Sequence, residues 1–137
     1  EWTMQILKFL LFYVLVFLVF LAVDVVWLGF VGKSFYQKYL GHLLGEVNWV
    51  AAMIFYLLYV GGIFIFAILP ALEKASLGYA LSYGALFGFF CYATYDLTNL
   101  ATLKDWPKAI VYIDIPWGTL LSAIVAVAGF FIGRWLQ

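Results

Sequence analysis

Charge is what this sequence has least of. Only 10% of its residues are charged, seven basic and seven acidic, and they cancel. No basic face is left for nucleic acid. Histidine occurs once, as His42, in a polar stretch between apolar runs. That excludes a haem held by two histidines of one chain and a Cys/His zinc site, and leaves a Ser-His-Asp triad without support. A single cysteine, Cys91, permits no internal disulfide. No lysine lies deep inside an apolar run, so a Schiff-base cofactor has no anchor, and no glycine-rich phosphate loop is present. No cofactor is therefore assigned.

In place of charge there are long hydrophobic runs: 68% of residues are hydrophobic, with mean hydropathy +1.09. A soluble domain needs far more polar surface. The chain reads as one all-α integral membrane domain over residues 1–137, a four-helix bundle. Spans are expected at about 6–31, 48–70, 77–102 and 109–135, each near the roughly 20 residues that a crossing requires. The first run is too long for a signal-peptide core and is taken as a true span. Phe35, Tyr36 and Tyr39 place the segment from Lys33 to Glu46 at the membrane interface, where aromatic rings are favoured.

Four crossings put both termini on one side. Lys8, Lys74 and Arg134 flank that side, against Lys33, Lys38, Lys104 and Lys108 on the other. The balance leaves orientation open under the positive-inside rule, with a cytoplasmic placement of the termini favoured.

Three aspartates break the apolar runs: Asp24, Asp96 and Asp114. With a rise of about 1.5 Å per residue and alternating helix directions, all three fall in the half of the membrane beside the first and third loops. Asn48 starts the second span at that end, and Asn99 follows Asp96 on one helix face. A carboxylate at the bilayer centre costs about 2.5–3.5 kcal/mol, so such groups face inward and find partners. The three cannot all stay ionised and unpaired. They must share a proton, hold a cation or pair with Lys33 or Lys104. Asn48, Asn99, Thr98, Tyr95 and Tyr112 are the expected neutral donors.

The spacing D-x-x-W occurs twice, at Asp24 and Trp27 and at Asp114 and Trp117, which puts each indole one turn from the acid of its own helix. Pro116 deprives the Tyr112 carbonyl of its partner beside Asp114. Asp105, just before Pro107, is a candidate cap for the last helix. Two small-residue stripes, Ala80-Gly84-Gly88 and Gly118-Ser122-Ala126, allow close helix approach.

The candidate binding residues are thus Asp24, Trp27, Asn48, Tyr95, Asp96, Asn99, Asp114 and Trp117. Asp24, Asp96 and Asp114 are also a candidate oxygen-only set for magnesium, manganese or calcium. Three readings are open. One is a binding or transport module for a cation, a proton or a polar lipid headgroup. Another is a metal-dependent enzyme acting on a membrane lipid. The last is a structural subunit of a larger membrane complex. Membrane lipids are the expected partners, with a homo-oligomer or a larger assembly plausible for so small a chain.

The motifs D-V-V-W-L-G, Y-x-K-x-L-G-H-L, N-W-x-A-A-x-x-F-Y-L-L-Y, Y-A-T-Y-D-L-T-N-L-A-T-L-K-x-W-P and D-x-x-W-G run through nearly the whole chain. Together they resemble the bacterial family of four-span membrane proteins catalogued as domain of unknown function 2177. The resemblance implies four spans, an inner-membrane location, and Asp24, Asp96, Asn99 and Asp114 as motif residues. It implies no substrate.

Overall fold

The computed structural model describes residues 1–137. It is all-α, with five helices: α1 (Trp2–Val31), α2 (Lys33–Leu40), α3 (Trp49–Glu73), α4 (Leu77–Thr102) and α5 (Lys108–Leu136). The four long ones stand beside one another. The short α2 is an addition to the expected four, formed by the segment read as merely resting at the interface.

Helix ends follow local chemistry. The Asn48 side chain accepts from the Ala51 N–H at 3.1 Å and starts α3; Ser76 accepts from the Tyr79 N–H at 3.0 Å and starts α4. Asp105 does not cap α5. It sits at φ 61 in the turn, the left-handed region that Asp tolerates, and Pro107 precedes the first helical residue without a side-chain cap. The helix α5 continues through Pro116.

Three helices, α1, α3 and α5, are long and apolar enough to cross a membrane. The expectation gave four. The fourth long helix, α4, has the length but carries tyrosines, threonines, glycines and an aspartate that lower its hydropathy. Its burial compensates: Ala80, Gly84, Gly88, Ala93 and Asp96 face inward.

The two small-residue stripes meet each other. A Cβ added at Gly84 would run into Ala126 and the Ser122 carbonyl; one added at Gly88 would run into the Gly118 carbonyl and Ser122. Backbones at this separation gain dispersion contacts over their whole length, the main source of helix association in lipid. The remaining core is aliphatic and aromatic, with Val16, Phe20, Val60, Ile63, Leu121 and Phe130 at its centre.

Two wide π-helical turns interrupt the long helices, at Trp27–Val31 in α1 and Phe64–Ile68 in α3. Each inserts a residue into the helical register and rotates the side chains beyond it. From Phe64 onward α3 packs against α4, whereas its first half, Trp49–Ile63, leans on α1 and α5. A gap between α3 and α4 results.

Candidate functional site

The gap is a cavity of about 1010 Å³, lined by 20 residues of which 17 are hydrophobic. Phe55, Phe66 and Phe90 line it and are themselves exposed on the outer surface of the bundle. The cavity is therefore open at the side of the bundle. Its polar lining includes Asp24, Asp114 and Thr94, together with the hydroxyls of Tyr36 and Tyr56.

All three expected acids are buried: Asp24 is 7% exposed, Asp96 0% and Asp114 8%. They divide into one acid and a pair. Asp24 accepts from the Tyr56 hydroxyl at 3.1 Å, with the Trp117 indole beside it. Asp114 accepts from the Tyr36 hydroxyl at 2.8 Å. Asp96 lies behind Asp114, outside the cavity lining, with its carboxyl within hydrogen-bonding reach of that of Asp114. No group of three His, Cys, Asp or Glu side chains is placed to hold a metal ion. The three-aspartate metal set is corrected accordingly: Asp96 backs onto Asp114 instead of turning a third oxygen ligand towards Asp24.

The tryptophans also depart from expectation, because each serves the acid of the other helix. The Trp27 indole N–H donates to the Tyr36 hydroxyl at 3.0 Å, and Tyr36 in turn donates to Asp114 of α5. Trp117 of α5 stands at Asp24 of α1. Between them the two indoles stack, with centroids 4.3 Å apart and planes 8° from parallel.

This chain of bonds has a fixed direction. An indole can only donate, so Tyr36 receives from Trp27 and directs its single proton to Asp114. With both acids ionised, neither Asp96 oxygen meets a donor. One proton shared by the two carboxyls would give the Asp96 oxygens a hydrogen bond. Burial raises the Tyr36 hydroxyl well above the usual tyrosine range, and the charge of Asp114 adds to the shift, so Tyr36 remains a donor.

The other expected residues make no hydrogen bond to the acids. Asn48 is an exposed helix cap. Tyr95 is half-exposed at the cavity wall, packed edge-on against Trp106, and Asn99 lies beside its hydroxyl. Tyr112 is 74% exposed and points away. Thr98 bonds back to the Thr94 carbonyl and reaches no acid. Lys33 and Lys104 are exposed and absent from the cavity wall.

Two donors that do reach the acids, Tyr36 and Tyr56, were missed as site residues. A signal for each was present: Tyr36 opens the Y-x-K-x-L-G-H-L motif, and Tyr56 lies in N-W-x-A-A-x-x-F-Y-L-L-Y. Tyr59, hydrogen-bonded to Ser122 at 2.7 Å, was missed likewise.

Residues 9–131 match the family described as "Predicted membrane protein (DUF2177)". The chain belongs to that family. Membership accords with the three membrane-length apolar helices and makes this a membrane protein. No curated protein and no solved structure matches the chain.

Proposed function

We propose that the protein binds a membrane amphiphile taken up sideways from the bilayer, its hydrocarbon chain in the gap between α3 and α4 and its polar head against Asp24 and Asp114. One observation carries this reading: a cavity of about 1010 Å³ with apolar walls, open to the side, ends on two buried carboxyls held by tyrosine hydroxyls. Sites for small molecules combine mostly apolar walls with a few convergent polar groups in this way. In this reading the four long helices make four crossings of a bacterial inner membrane, with both termini on one side.

The reading that invokes a metal-dependent enzyme lacks a ligand set, since only two acids line the cavity. The test is occupancy. Ala52 lines the cavity, and Ala52→Trp places an indole inside it while keeping both acids. Lipid extracted from the detergent-purified protein should contain a species enriched over the bulk membrane, and Ala52→Trp should abolish that enrichment at unchanged helicity. Equal lipid profiles for the two proteins would sink the proposal.

A further inference from the structure

The cavity lining restricts the charge of the head it accepts. Its 20 residues include Asp24 and Asp114 and no lysine, arginine or histidine. An anionic head would meet only like charge. The donors that reach the two acids are neutral, Tyr56 on Asp24 and Tyr36 on Asp114. Hydrogen bonds from hydroxyls orient a carboxylate but do not neutralise it, and an unneutralised carboxylate at membrane depth is costly. The two cavity carboxyls thus have neutral donors and no cation among the lining residues. The rings of Tyr56, Tyr59 and Tyr92 also line the cavity near the two acids, and aromatic π faces attract cations.

We infer that the ligand is a cationic amphiphile, its ammonium group lying between Asp24 and Asp114 and its chain passing out between α3 and α4. This rests on the amphiphile-binding reading above and adds the sign of the charge. The ammonium supplies what the side chains lack: a full positive charge, N–H donors for two carboxylates at once, and a partner for the aromatic walls. Asp96 is a positioning residue here, holding Asp114 towards the cavity through the shared proton.

Three amphiphiles with one chain and different heads separate the possibilities: hexadecylamine, hexadecanol and hexadecyl phosphate, each offered to the detergent-solubilised protein and counted by native mass spectrometry. The amine should bind about tenfold more tightly than either of the others, a modest share of what an unpaired buried charge costs. That preference should be lost in Asp24→Asn and Asp114→Asn, which keep the shape of the carboxyl and remove its charge. The headgroup series on the unaltered protein decides the matter even where a variant fails to fold. Equal or tighter binding of the alcohol or the phosphate overturns the charge assignment and leaves the amphiphile reading standing. Failure of all three to bind overturns both.

Discussion

Trp27 and Trp117 stack face to face, 4.3 Å between centroids, and each indole works on the acid anchored to the other's helix. The stack fastens α1 to α5 at the level of Asp24 and Asp114. It links the two acids through a ring pair. Removing the donor and removing the ring should therefore have different consequences.

In Trp27→Phe an aromatic face remains but the N–H to Tyr36 is gone. Stability should fall by about 1 kcal/mol, the usual net value of one hydrogen bond. Trp117→Ala removes the ring altogether and should cost about 3 kcal/mol. Unfolding by graded addition of a denaturing detergent measures both. Equal losses would mean that the stack contributes nothing beyond the hydrogen bond.

A proton shared by Asp96 and Asp114 is open to infrared spectroscopy. Asp96→Asn retains a donor towards Asp114 and should fold normally while eliminating one protonated-carboxyl absorption. Asp24→Asn should leave that absorption in place. Asp96→Leu opens no cavity yet leaves Asp114 with Tyr36 as its one donor, and should damage ligand binding more than thermal stability. A protonated-carboxyl band that survives Asp96→Asn puts the proton elsewhere.

Tyr36 confers a pH dependence whose sign is set by its shift. Its folded pKa is raised, by burial first and by Asp114 second, above the ordinary value of 10.0. The neutral hydroxyl is the form that the fold prefers. Its contribution is therefore complete below about pH 10 and declines as the pH rises beyond the unfolded value. The stability difference between the unaltered protein and Tyr36→Phe should be constant from about pH 6 to 9 and shrink at higher pH. A difference that grows with alkalinity would contradict the shift.

The contact between α4 and α5 depends on residues that have no side chain to move aside. Gly88→Ala drives a methyl group onto the Gly118 carbonyl and Ser122, and neither the backbone oxygen nor its helix can yield cheaply. A loss of about 1–3 kcal/mol is expected, as for other overpacked sites. Gly29→Ala is the control, because nothing lies within 4 Å of its added Cβ. Thermal unfolding of the pair in one detergent decides it; indifference at Gly88 would mean that the two helices are held less closely than their glycines allow.

Class, the long helices and the inward placement of the acids are legible in the order of residues alone. Those properties depend on the length of apolar runs and on a rise per residue that does not vary. Run length overstated α4 as an apolar span, since its tyrosines and threonines weigh against it and only its buried face redeems them. Partner choice was settled in three dimensions. Helix rotation, set by the meeting of the Gly84-Gly88 and Gly118-Ser122 stripes and by the wide turn after Val26, turned Trp27 towards Tyr36 and Asp96 towards Asp114. The short helix α2 then brought Tyr36 to an acid 78 residues away in sequence, a juxtaposition that no local spacing encodes. One-dimensional periodicity specifies which face of a helix is buried, but the neighbour it is buried against is chosen by packing among helices distant along the chain.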